Sequence, residues 1–183
     1  MTNTKRLQIV VKPSLCNGCG DCVRACAERG RPEGAVPYPA LRLVWRSTGA
    51  TPVLCPQCAD AACVRVCPAQ ANYRTPDQVV RHNEQRCLHC QLCVQACSFG
   101  NIDYAEVSLS EAPDSPEKGP RPDRPRSSEP TQGQAAIIKC DLCGYGDASD
   151  ANACYPRCVQ ACPSRALLLC RVDPIGDLEV VDA

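Results

Sequence analysis

Sixteen of the eighteen cysteines stand in four groups of four, and no other feature restricts the folds open to this chain so tightly. Cys16, Cys19, Cys22 and Cys26 (CNGCGDCVRAC) follow a C-x2-C-x2-C-x3-C spacing. Cys55, Cys58, Cys63 and Cys67 (CPQCADAACVRVCP) open the middle gap and end in a proline. Cys87, Cys90, Cys93 and Cys97 (CLHCQLCVQAC) repeat the first spacing. The last group is split, with Cys140 and Cys143 (KCDLC) separated by a loop from Cys158 and Cys162 (CVQACP).

Two-residue gaps in a loop let a chain wrap closely and set three thiolates on three corners of one cube. The fourth cysteine, three residues further on, lies about one helical turn along. Its sulfur therefore points away from the first cube and serves another, the known logic of paired 4Fe-4S sites. Pro68 and Pro163 then bend the chain off the helix. Each cube draws three ligands from one group and one from a distant group, so metal assembly and folding are expected to be one event. Spacing leaves open which groups exchange their fourth cysteines: first with fourth and second with third, or first with second and third with fourth. Zinc is the competing reading, because paired C-x2-C units also build zinc knuckles. Tetrahedral zinc takes two pairs of ligands, whereas a triplet plus a remote fourth cysteine suits a cube.

The rest of the composition agrees that something other than side-chain burial organises the fold. Cysteine makes up about a tenth of the chain, and the aromatic complement is one Phe, one Trp and five Tyr. Disulfides would require an oxidising compartment, yet Met1–Pro13 (MTNTKRLQIVVKP) carries no apolar h-region, cleavage site or twin arginine, so a cytoplasmic location is expected. No apolar run reaches membrane-spanning length, and membrane contact is expected only through another subunit. Lys plus Arg equals Asp plus Glu at 20 each, which offers no basic field for nucleic acid. Four oxidised cubes at roughly −2 each would make the holoprotein anionic by about −8 and favour basic docking surfaces.

Short elements are expected between the groups. Leu7–Val11, the second half of Pro37–Arg46, Val79–His82 and Ala166–Val172 read as strands. Each V-x-x-C stretch, Val23–Cys26, Val64–Cys67, Val94–Cys97 and Val159–Cys162, is expected to begin a short helix. The expected fold class is α+β, ferredoxin-like, with short strands and helices around the cubes. Residues 106–135, rich in Pro, Ser and charge, read as a linker or surface excursion. No Gly-rich phosphate loop or His–carboxylate constellation supports catalysis by side chains, so a non-catalytic protein is expected.

At its four cysteine groups the chain resembles the polyferredoxin-like electron-transfer subunits of dimethyl sulfoxide reductase, formate dehydrogenase and hydrogenase complexes. Similar small proteins accompany carbon monoxide dehydrogenase and tungsten-dependent aldehyde oxidoreductases. The resemblance spans Leu7 to roughly Val172, and the C-x2-C-x4-C-x3-C-P second group is its most specific element. It implies four 4Fe-4S clusters with explicit ligand sets: Cys16, Cys19, Cys22 and Cys162; Cys140, Cys143, Cys158 and Cys26; Cys55, Cys58, Cys63 and Cys97; Cys87, Cys90, Cys93 and Cys67. It implies an inner module, residues 55–105, inserted within an outer module of residues 1–54 and 136–183. Some relatives replace a cysteine of the third group and hold one iron fewer; Cys90 is present here, so four complete cubes are expected.

The function implied is a relay of single electrons between a catalytic subunit, foremost a molybdenum- or tungsten-pterin enzyme and then a hydrogenase or carbon monoxide dehydrogenase, and a second redox partner. The alternative is a free polyferredoxin shuttling between several enzymes. End-to-end stacking of copies is a further expectation. Ala27 and Ser98 stand where a proline would follow Cys26 and Cys97, which is expected to loosen those turns. Cys158 rather than Cys154 is the expected ligand, since only Cys158 stands in the C-x3-C-P relation, and Cys170 reads as a buried small hydrophobe. His89, between two ligands, is weighed as a tuning residue against a half-exposed bystander, whereas His82 has no neighbour in sequence that suggests chemistry. Trp45 and Tyr38 are expected to pack on a cluster module. Lys139 and Arg165 flank ligands and are read either as charge offsets or as solvated side chains.

Overall fold

Leu7 and Ile9 face inward from the first strand, β1 (Arg6–Val11), and the residues they meet come from the far end of the chain. The computed structural model describes residues 5–28, 38–107, 134–145 and 154–181. Strand β8 (Leu167–Val172) runs antiparallel to β1, with Leu7 opposite Arg171 and Val11 opposite Leu167. Strand β9 (Leu178–Val180) pairs with the other edge of β8, closing a three-stranded sheet of order β1-β8-β9.

Three two-stranded ribbons complete the β-structure among the described residues. Strands β2 (Leu41–Arg46) and β3 (Gly49–Leu54) form a hairpin whose turn ends at Gly49, φ +119°, a conformation glycine adopts without strain. Strand β4 (Asn72–Arg74) pairs with β5 (Val80–His82), and β6 (Ile102–Val107) with β7 (Gln134–Lys139). The expected strands around Leu7, Leu41, Val80 and Leu167 are all present; β3, β4, β6, β7 and β9 were not anticipated. The sequence boundary at 106–135 shifts inward, because β6 continues to Val107 and β7 starts at Gln134. Residues 108–133 lie outside the described residues.

The helices are α1 (Asp21–Ala27), α2 (Ala62–Arg65), α3 (Leu92–Ala96) and α4 (Arg157–Gln160). Each starts two residues before the valine of its V-x-x-C stretch, so it carries the third cysteine of its group, a correction to the expected start. The cause is local: Gly20 and Gln91 are left-handed N-caps, and Ala61 and Pro156 are non-helical ones. Helices of four to seven residues have no stability of their own and depend on packing. Here α1 lies against α4 and α2 against α3.

The main core gathers Leu7, Ile9, Leu41, Leu54, Val79, Leu142, Leu167, Leu169 and Val181 around two cysteines, Cys22 and Cys158. A smaller cluster joins Ile102 and Ile137 to Cys93. The result is a small mixed α/β fold of short strands and few helices whose apolar interior is partly made of thiols. Among the described residues no helix is long and apolar enough to cross a membrane.

Candidate metal centre

The four cysteine loops share one backbone device. The residue just before the second cysteine is left-handed in every group: Gly18 (φ +75°), Gln57 (+51°), His89 (+51°) and Leu142 (+58°). A left-handed residue at this place turns neighbouring N–H groups toward one side, the concavity that suits anionic iron–sulfur sites. Three of the four are not glycine, so each stores on the order of 1–2 kcal/mol of backbone strain that the site must hold. The first and third loops share a second left-handed residue, Gly20 and Gln91, and a preceding 3-10 turn, Pro13–Leu15 and Glu84–Arg86. Equal spacing thus builds equal structure.

The fourth cysteines also share a device. Cys67, Cys97 and Cys162 accept, at Sγ, the N–H of the residue four positions on: Ala71 at 3.2 Å, Asn101 at 3.3 Å and Ala166 at 3.3 Å. In each, the carbonyl of the cysteine accepts the N–H three positions on, from Gln70, Gly100 and Arg165, all left-handed. The turn after Cys97 closes in this way at 3.0 Å with Ser98 in it, so the expected loosening is corrected: hydrogen bonds, not proline, define the turn. At Cys26 the helix runs on to Ala27, and Sγ accepts its hydrogen bond from the N–H of Ala40 at 3.3 Å instead.

The thiols act on one another across the chain. Burial pushes the Cys22 thiol up to about 11, and Cys162, Cys19 and Cys16 add to the rise. Burial also raises Cys158, helped by Cys140, Cys26, Cys143 and, more weakly, Cys22. Cys63 is raised by burial and by Cys55, Cys97 and Cys58, against the lowering field of Lys139. Cys58 is raised by burial, then Cys55, with Cys97 a lesser cause. Cys87 and Cys93 are raised by burial, and both feel Cys67. Cys67, Cys87, Cys90 and Cys93 line one hollow. None of the eighteen cysteines is in a disulfide, and only Cys19 and Cys90 are exposed.

Such a donor set fits a soft metal cluster: buried thiols that repel one another as anions are stabilised when iron takes their charge. Cys158, 5 % exposed, sits among Cys140, Cys143 and Cys26, whereas Cys154 is partly buried and touches the site through its N–H on the Cys143 carbonyl at 3.0 Å. Cys170, 1 % exposed in β8, packs as the small hydrophobe expected. Trp45 lies over Gly18 in the first loop, yet the residue is 68 % exposed; Tyr38 is also exposed. Arg165 is exposed and Lys139 is partly buried.

Buried polar side chains stitch the cysteine groups together, and the sequence carried no signal for them. Gln57 donates to the Cys140 carbonyl at 3.0 Å and accepts the Val80 N–H at 2.8 Å. Asn72 donates to the Cys63 carbonyl at 3.2 Å and also bonds Cys93. Arg81 donates to the Gly144 carbonyl at 2.9 Å. His82, expected to be chemically isolated, instead lies 2.9 Å from Asn72 Oδ1 and 3.0 Å from a Glu84 carboxylate oxygen whose partner oxygen faces His89 at 3.5 Å. Burial lowers the His82 pKa, and Glu84 opposes the shift.

Residues 8–35, which contain the first cysteine group, match the family described as a 4Fe-4S binding domain. The class is therefore that of ferredoxin-type iron–sulfur proteins. Hydrogenase-4 component A of Escherichia coli (strain K12) is 32% identical over 179 residues, covering 91% of this chain and 83% of its own. Formate hydrogenlyase subunit 2 of the same organism is 34% identical over 175 residues, 88% of this chain and 80% of its own. An iron-sulfur protein of Rhodospirillum rubrum is 32% identical over 90% of this chain and 82% of its own. The chain belongs to the family of iron–sulfur proteins that includes these relatives.

Proposed function

We propose that this chain is the electron-transfer subunit of a larger oxidoreductase complex, relaying single electrons through four 4Fe-4S clusters between a catalytic subunit and a second redox partner. The observation that carries the reading is the series the thiols form. Cys22 neighbours Cys158, linking the set Cys16, Cys19, Cys22 and Cys162 to the set Cys140, Cys143, Cys158 and Cys26. Cys140 neighbours Cys55, linking that second set to Cys55, Cys58, Cys63 and Cys97. Asn72 bonds both Cys63 and Cys93, linking the third set to Cys87, Cys90, Cys93 and Cys67. The two exposed cysteines, Cys19 and Cys90, belong to the two ends of this series.

Each cluster, when bound, accepts and releases one electron and, with four thiolates, presents no open iron to a substrate. The residues do the rest. The left-handed loops present N–H groups to the sulfurs, the i+4 N–H groups bond the fourth cysteines, and Leu142, Leu167 and Leu169 keep water from the buried thiols. The pairing of β1 with β8 and of α1 with α4 supports an outer module, 1–54 with 136–183, and α2 against α3 supports the inner one, 55–105, except that β7 pairs with β6 and sets Ile137 against Ile102 and Cys93, on the inner side. By the names of its relatives a hydrogenase- or formate-linked complex is favoured as the setting, and a molybdenum- or tungsten-pterin partner follows from the resemblance. We place the chain in the cytoplasm.

Anaerobic purification from the native source tests the reading. About sixteen iron and sixteen sulfide per chain are expected, with stoichiometric co-elution of a large cofactor-bearing chain. A brown monomer that binds no such chain would move the reading to a free polyferredoxin. A colourless zinc protein would overturn it.

A further inference from the structure

Lys139 closes a ring of hydrogen bonds where the second and third thiol sets meet. Its ammonium donates to the Val80 carbonyl at 2.6 Å and to the Cys140 carbonyl at 2.8 Å. The ring returns through Gln57, which accepts the Val80 N–H at 2.8 Å and donates to the same Cys140 carbonyl at 3.0 Å. Gln57 and Val80 are 0 % and 1 % exposed, so the ring is anchored in the interior. The two partners of the ammonium are neutral carbonyls, and among the described residues no carboxylate pairs with it. Cys55 of the third set acts on the buried Cys140 of the second, and the lysine's field reaches both Cys140 and Cys63.

We propose that Lys139 is a fixed positive charge between the second and third cubes that raises the reduction potentials of those two above the values their thiolates alone would set. The inference rests on the four-cluster reading. A cube gains one negative charge when it takes an electron, so a cation held beside it stabilises the reduced state. At an effective dielectric near 20, one unit charge held near a cube is worth on the order of tenfold in that equilibrium, ~59 mV for a one-electron couple. Because the charge sits at one join, the effect is largest at those two cubes and fades along the series. It reaches the fourth set more weakly, by way of the side where His82, which also feels Lys139, lines the hollow of Cys67, Cys87, Cys90 and Cys93. Electrons arriving at either end then find the middle of the series downhill.

An anaerobic redox titration followed by electron paramagnetic resonance tests this on the full chain, with iron measured on every sample. Lys139→Gln keeps a hydrogen-bond donor and removes the charge; Lys139→Arg keeps the charge. With iron complete, Lys139→Gln is expected to make two of four couples about tenfold harder to reduce, while Lys139→Arg leaves all four near wild type. A merely structural lysine predicts the reverse, with the glutamine variant unchanged. Four unmoved couples, or a uniform shift of all four, in an iron-complete Lys139→Gln protein would overturn the proposal while leaving the cluster reading intact. Wild-type protein holding far fewer than about sixteen iron atoms overturns the cluster reading itself.

Discussion

Cys158 is ringed by Cys140, Cys143 and Cys26, and burial raises its thiol, so only a bound metal makes its thiolate stable there. Cys154, by contrast, meets the site through its main chain. Cys158→Ala is therefore expected to lose about four of ~16 iron atoms and Cys154→Ala to lose none, as measured by anaerobic elemental analysis. Gly18 makes a second residue-level case. A Cβ there would run into the indole of Trp45, while Gln57, His89 and Leu142 show that the left-handed conformation alone tolerates a side chain at this place. Gly18→Ala should cost about 1 kcal/mol of backbone strain and push the exposed indole aside. The emission of the chain's single tryptophan is expected to rise as its ring leaves the quenching cluster. Unchanged emission in Gly18→Ala would show that the indole does not rest on this loop in solution.

At the level of elements, β6 and β7 pair over their whole length, with Val107 directly opposite Gln134. Replacing residues 108–133 by a two-residue Asn-Gly turn should therefore close the hairpin directly, since that pair favours the turn twist of antiparallel strands. The shortened chain is expected to retain its full iron content, and loss of iron would show that the segment is structural. Loss of partner binding alone would make it a docking arm. The same elements show what a sequence discloses. Cysteine spacing announces the loops because each ligand must be a thiolate; β1 buries one face through Leu7 and Ile9, whereas β8 is announced by the unbroken apolar run LLLC, with Leu169 and Cys170 buried on opposite faces. Strands β3, β4 and β9 are missed because three residues, or a run such as GATPVL with a central proline, carry too little pattern. The helix starts are misplaced by two residues because the left-handed N-caps at Gly20 and Gln91 answer to the loop geometry, not to the V-x-x-C run. Gln57 and Asn72 escape notice because their roles come from long-range hydrogen bonds that no local pattern encodes, and Lys139, legible as a cation beside a ligand, shows its two-carbonyl seat only in the fold.

At the scale of the molecule, the interior is too poor in large side chains to hold itself together. Its main core combines leucines with Cys22 and Cys158, its helices are four to seven residues long, and the buried thiols repel one another once ionised. Removing metal would leave those thiols without the cation that balances them and would free β1 and β8 from the groups that follow and precede them. Folding and cluster assembly are thus expected to be a single equilibrium. Titrating the holoprotein anaerobically with denaturant in the presence of an iron chelator should bleach the brown absorbance and abolish the far-ultraviolet dichroism at the same midpoint. A Leu169→Ala variant, which opens a cavity beneath the β1–β8 pair, should lower both midpoints together by about 2–5 kcal/mol of stability. Dichroism that outlasts the colour would mean that the polypeptide folds first and receives its clusters afterwards, and the skeleton would then be protein rather than metal.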